Sequence, residues 1–172
     1  MNPIPSEIIY CYAEWQPAYN ILQAEYNVKF NQGIPSFDKW EYTYPRLVII
    51  DDLMSETDER VSKLFTKGSH HKNISVIYMV QNLFVQNKYQ RTITLNSHYL
   101  VLFKNPRDAS QITHLAKQMF PGNIKILQES FKAATEKPHG YLVIDLKQNT
   151  PDHLRLRTNI FPPEYQVVFI QK

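Results

Sequence analysis

Five short runs, Ile8–Tyr12, Leu47–Ile50, Ile74–Val80, Tyr99–Phe103 and Tyr141–Ile144, are apolar at nearly every position and rich in β-branched or aromatic residues. Continuous apolarity, without the in–out alternation of a half-solvated strand, belongs to strands covered on both faces, as in the parallel sheets of α/β domains. Helical patterns fill the intervals at Ala18–Tyr26, Ser55–Thr66, Asp108–Met119 and Asn123–Ala134. Ser55 with Asp58 three residues on resembles a capping pair, and Gly68 is a stop. Asp108 or the turn before it caps the third helix, Ile112, Leu115 and Met119 make one apolar stripe, and Pro121-Gly122 ends it. Strand and helix in alternation predict a wound α/β sheet.

The 172 residues suffice for one domain with a sizeable core. No stretch approaches the roughly 18 apolar residues that span a bilayer, and the opening MNPIPSEIIYCY lacks the basic and apolar regions of a secretory signal. Cys11 is the single cysteine, which excludes an internal disulfide and points to a reducing compartment. The net charge of +3 is compatible with a nucleic-acid partner and too mild to imply one.

Ligands of open α/β sheets gather at the carboxyl ends of the strands. Three of those ends are polar: Asp51-Asp52 after Leu47–Ile50, Gln81-Asn82 after Ile74–Val80, and Lys104-Asn-Pro-Arg107-Asp108 after Tyr99–Phe103. Adjacent carboxylates at a strand end point in different directions, so one is free to hold a hydrated Mg²⁺ while the other accepts a proton from an attacking water. The alternative is that both cap or turn the chain before the next helix. Gln81 is placed to orient that water, or to tie down a loop.

These residues carry a resemblance. Arg46–Phe84, RLVIIDDLMSETDERVSKLFTKGSHHKNISVIYMVQNLF, resembles the Walker B and sensor region of the FtsK/HerA superfamily of P-loop ATPases. Within it, the chain is most similar to the DNA-packaging ATPases of Polinton/Maverick, adintovirus-like and poxvirus-type elements. The similarity continues through Asn96–Asp108, Pro138–Asp145 and Arg157–Pro162, and reaches back over Ile8–Gln16. It implies an α/β fold of the RecA-like P-loop NTPase type, a mostly parallel sheet flanked by helices, with residues 1–172 forming a single truncated ATPase domain. It implies Asp51 as the Walker B acid that holds Mg²⁺ through water, Asp52 as the water-activating acid and Gln81 as sensor. It further implies ATP and Mg²⁺ as cofactors, double-stranded DNA as substrate, capsid proteins as partners, and a pentameric or hexameric ring. The place of work it implies is a eukaryotic nucleus or cytoplasm, or a site of particle assembly, with no membrane.

The sequence departs from the family at the phosphate loop. Gly-x-x-x-x-Gly-Lys-Ser/Thr, whose backbone N–H groups cradle phosphates, is absent. The nearest approach starts at Gly33, but has Asp38 for the second glycine and Trp40 for the hydroxyl residue. Relative to the family the chain begins about one strand and one helix late, so weak or no nucleotide binding is expected of it alone. Ile74–Val80 and Tyr99–Phe103 should also lose a common neighbour and either stand apart or close up. A non-hydrolysing pseudo-ATPase that assembles with complete subunits, or a decayed element protein with a structural role, are the alternatives.

Relatives in the superfamily carry an arginine near the turn Lys67–Asn73, where this chain has Ser69. Lys67, Lys72 and Arg91 are the candidate substitutes, against a plain solvated turn. His70-His71, without cysteine partners, is assigned no zinc. Asn82 and Arg107 are candidates for nucleotide or trans contacts, with a helix-start ion pair between Arg107 and Asp108 as the alternative. The polar stretch Asn87–Thr92 is expected to be a DNA-contacting loop through Lys88 and Arg91. Tyr10, Tyr12, Trp15 and Tyr19 have the residue types that stack on bases, yet their spacing favours core packing.

Overall fold

In a computed structural model, residues 4–37, 40, 44–68, 73–85 and 87–170 are described. They group into two compact units, Met1–Asn96 and Ser97–Lys172, where the sequence reading treats the chain as one.

The first unit is α/β. Strands β1 (Glu7–Tyr12), β2 (Lys29–Gln32), β3 (Arg46–Asp51) and β4 (Ile74–Met79) form a four-stranded sheet in the order β2-β1-β3-β4, every pair parallel. Tyr12, Asp51 and Met79 lie in register, so the carboxyl ends of β1, β3 and β4 coincide. Alternate residues serve two covers. Ile9, Cys11, Val48, Ile50 and Ile74 join a core with Val61 of helix α2 (Glu59–Lys63) and Ile93 of helix α3 (Lys88–Asn96). On the other face Ile8, Tyr10 and Ile49 pack with Tyr19 and Leu22 of helix α1 (Ala18–Tyr26). That second cover is incomplete, because Ile77 and Met79 of β4 remain 43% and 37% exposed.

The helix expected over Ser55–Thr66 is broken into three pieces: a 3-10 turn at Met54–Glu56, α2, and a π-helical turn at Leu64–Gly68. Thr57 is extended between the first two, and Asp58 caps α2 by accepting from the Arg60 N–H at 2.8 Å. Asp58 therefore starts the helix, and the pairing of Ser55 with Asp58 as a capping box is corrected. Asn87–Thr92 is likewise not a loop, since Asn87 Oδ1 accepts from the Tyr89 N–H at 2.8 Å and opens α3.

The second unit overturns the expectation that Tyr99–Phe103 and Tyr141–Ile144 extend a parallel sheet. Strands β5 (Tyr99–Phe103), β6 (Tyr141–Asp145), β7 (Leu156–Thr158) and β8 (Val167–Phe169) form a separate antiparallel sheet in sequential order. Leu100, Leu102, Leu142, Ile144 and Leu156 are buried, as are Leu115 and Ala116 of helix α4 (Ser110–Met119) and Leu127 and Ala134 of helix α5 (Ile124–Ala134), and α5 packs on α4, β6 and β7. The opposite face of β5 exposes apolar side chains, which is why its sequence imitates a two-sided strand. β4 and β5 belong to different sheets. Among the described residues no helix is long and apolar enough to cross a membrane.

Candidate functional site

Asp51 is the last residue of β3, and its carboxylate turns toward α1. One oxygen, Oδ2, accepts from the Tyr10 hydroxyl at 2.7 Å and from the Tyr19 hydroxyl at 3.0 Å. Both tyrosines are buried, with ring centroids 4.9 Å apart, and Phe30 and Trp15 close the aromatic cluster. Core packing is thus the first role of Tyr10 and Tyr19, and holding Asp51 is a second that the sequence reading missed. A signal was present: a tyrosine on the strand beside β3 and another on the first turn of the following helix are the hydroxyls within reach of that strand end. Burial first, and then the hydrogen bond to Asp51, push both phenols above the ordinary tyrosine range, so each remains a donor through neutral pH.

Asp52 leaves the sheet in the left-handed region, with φ of +52°. Aspartate tolerates that backbone better than most residues, because its short side chain hydrogen-bonds locally. The turn sends the two carboxylates apart, Asp51 to the tyrosines and Asp52 to solvent. There Asp52 Oδ1 accepts from Gln81 Nε2 at 3.1 Å. Gln81 stands two residues beyond β4, the strand beside β3. The structure therefore joins two residues 29 positions apart in the chain, both at the carboxyl edge of the parallel sheet.

Other candidates fall outside this pair. Asn82 Oδ1 accepts from the Phe84 N–H at 2.8 Å and closes its own turn. Lys67 is exposed at the end of the π-helical turn, and Lys88 and Arg91 are exposed on α3. In the second unit the Arg107 N–H donates to Asn105 Oδ1 at 3.1 Å, and Asp108 accepts from the Ser110 hydroxyl at the start of α4. Ser69, His70, His71 and Lys72 lie outside the described residues.

A polar chain lies behind the site. Thr57 Oγ1 and the Tyr78 hydroxyl are 2.6 Å apart, Tyr78 donates to Gln90 Oε1 at 3.1 Å, and Asn87 Nδ2 donates to the Thr57 carbonyl at 3.4 Å. Through it β4, which leads to Gln81, is tied to α3 and to the loop after Asp52.

Mg²⁺ demands near-octahedral oxygen ligation. Asp51 has one oxygen taken by two hydroxyls and Asp52 one taken by Gln81, and among the described residues no three His, Cys, Asp or Glu side chains converge. The described residues do not fit a resident Mg²⁺–nucleotide group by themselves. No family model, curated protein or solved structure matches the chain.

Proposed function

We propose that this chain is the Walker B and sensor portion of a DNA-packaging ATPase of the FtsK/HerA type, which drives double-stranded DNA into capsids as a ring of subunits. Alone it lacks the phosphate-binding half of the reaction. The observation that carries this reading is the Gln81–Asp52 hydrogen bond, made between the carboxyl ends of adjacent parallel strands. The reading gives the two carboxylates separate roles. In the assembled motor Asp52, solvent-facing and hydrogen-bonded to Gln81, would accept a proton from attacking water, and Asp51, held by Tyr10 and Tyr19, would offer its remaining oxygen to a hydrated cation that the rest of the site holds.

The uncovered half of the α1 face supports the same reading. Strands of parallel sheets are normally covered on both sides, yet Ile77 and Met79 are exposed on the face that carries Asp51. A further strand and helix bearing the phosphate loop would cover that surface beside the two carboxylates. ATP, Mg²⁺, DNA and capsid proteins belong to the assembled motor in this account, which works in a nucleus, a cytoplasm or a particle-assembly site.

Sequencing of the native transcript upstream of Met1 tests the proposal. The expected result is an in-frame strand followed by a glycine-rich loop ending in Lys-Ser or Lys-Thr. A transcript without that loop turns the reading to a pseudo-ATPase that assembles with complete subunits, for which the missing Gly-x-x-x-x-Gly-Lys motif is the supporting observation.

A further inference from the structure

Strands β7 and β8 form a hairpin closed by Asn159–Gln166, a longer connection than the about two to five residues that hairpin loops usually have. The base of the loop is tied down. Thr158 pairs with Val167 across the ladder, the Thr158 hydroxyl donates to the Tyr141 carbonyl at 2.6 Å, and the Ile160 N–H donates to the Tyr141 hydroxyl at 3.1 Å. Phe161 still leans on β6, with its ring centroid 6.2 Å from that of Tyr141. Past Phe161 these ties end. Pro162-Pro163-Glu164-Tyr165 is exposed throughout, and Tyr165, at 93%, is the most exposed large apolar side chain among the described residues. Among those residues neither Glu164 nor Tyr165 has a hydrogen-bond, ion-pair or ring partner. Tyr165 thus adds nothing to the core of its unit, although its ring is the kind of anchor that interfaces bury.

Two prolines with a tyrosine at this spacing suit one mode of recognition. Polyproline II turns once every three residues and rises about 3.1 Å per residue, so in that form Pro162 and Tyr165 share one edge, roughly 9 Å apart, with Pro163 beside them. Grooves lined by aromatic side chains bind such edges, because the proline rings are preset in shape and little chain entropy is lost on docking. The free loop is a turn with the Pro162–Pro163 bond cis, and the extended trans form is the one these grooves take. The second proline of a Pro-x-x-Pro ligand is missing, since Tyr165 and Gln166 stand three residues beyond Pro162 and Pro163. Tyr165 therefore replaces a proline as the second anchor.

We propose that Pro162–Tyr165 is a docking motif for a partner domain of the WW type, whose aromatic groove seats the proline pair and whose adjoining pocket takes the Tyr165 ring. The tied base presents the motif at the tip of the hairpin, away from the side chains that hold β7 to β6. The contact is small, a few residues of one loop, so the complex is transient and exchanges readily. It does not depend on the ATPase reading, because the loop lies in the second unit and the same motif serves a motor subunit or a pseudo-ATPase.

Fluorescence anisotropy of a labelled WW domain selective for Pro-Pro-x-Tyr, titrated with the 172-residue chain, tests the motif. Saturable binding is expected. Tyr165→Ala and Pro162→Ala should each weaken it at least about 10-fold with an unchanged circular dichroism spectrum, as loss of a buried anchor does. Tyr26→Ala, at an exposed tyrosine of α1, should leave it as in wild type. A synthetic peptide of residues 159–167 is the second ligand, which needs no folded variant; it is expected to compete with the chain, and the same peptide with Ala at position 165 is not. An SH3 domain that reads Pro-x-x-Pro is expected to bind neither. No binding by the chain, whether or not the peptide binds, would overturn the proposal. So would binding that Tyr165→Ala leaves intact, equal losses in Tyr165→Ala and Tyr26→Ala, or equal affinity for the SH3 domain.

Discussion

Asp51 shows how much a single carboxylate can organise. The hydroxyls of Tyr10 and Tyr19 share its Oδ2, and both tyrosines are buried. Replacing Asp51 by Ala strands both donors away from water, so a loss of about 1–3 kcal/mol in urea unfolding is expected. Asp51→Asn keeps an acceptor and should cost less. The same hydrogen bonds set an alkaline limit on stability. Both phenols titrate above their ordinary value in the folded chain, so the stability they confer is complete below about pH 10 and is lost as pH rises beyond it. Tyr10→Phe should flatten that alkaline fall, as followed by thermal unfolding between pH 9 and pH 11. Asp52 differs in kind: it is exposed, in a left-handed turn, and its Gln81 partner is exposed as well. Asp52→Asn keeps shape and backbone preference, so its stability should lie within about 0.5 kcal/mol of wild type.

At the scale of elements, legibility followed the physics of cover. Helix α1 coincides with its predicted span because an apolar stripe meets one packed face, and β1, β3 and β4 were legible because both faces of each are apolar. The same rule failed for β5, since an exposed apolar face cannot be told from a buried one by composition, and for β6, whose two buried faces belong to an antiparallel strand. β2, with the sequence KFNQ, and the three-residue β7 and β8 are too short or too polar to announce themselves, and tertiary pairing makes them strands. In the candidate site, Asp51, Asp52 and Gln81 were legible as strand ends, whereas the tyrosines that hold Asp51 look like core until the strands are placed side by side. The turn from α5 to β6 offers a direct check on packing. A Cβ on Gly140 would lie 2.4 Å from the Ala134 carbonyl oxygen and 3.0 Å from that of Lys137, both backbone atoms. Gly140→Ala should therefore cost about 1–3 kcal/mol in chemical unfolding.

Over the whole molecule, the chain is an α/β unit whose parallel sheet ends in the hydrogen-bonded Asp52 and Gln81, followed by an antiparallel unit with an apolar edge. Lys88 and Arg91 are exposed on α3, which the Tyr78–Gln90 hydrogen bond ties to the strand leading to Gln81. If α3 meets DNA in the assembled motor, Lys88→Glu with Arg91→Glu should weaken binding and lower the slope of log affinity against log salt by about 0.9 for each phosphate these side chains neutralise. An unchanged slope removes the helix from the DNA path. The central claim is that Asp52, oriented by Gln81, serves hydrolysis and not folding. It is tested most directly by DNA-stimulated ATP turnover of the complete protein, Asp52→Asn against wild type, with nucleotide affinity measured in parallel. The account predicts a loss of at least about 100-fold in turnover with nucleotide affinity and melting temperature retained; turnover at the wild-type rate in that variant would contradict it.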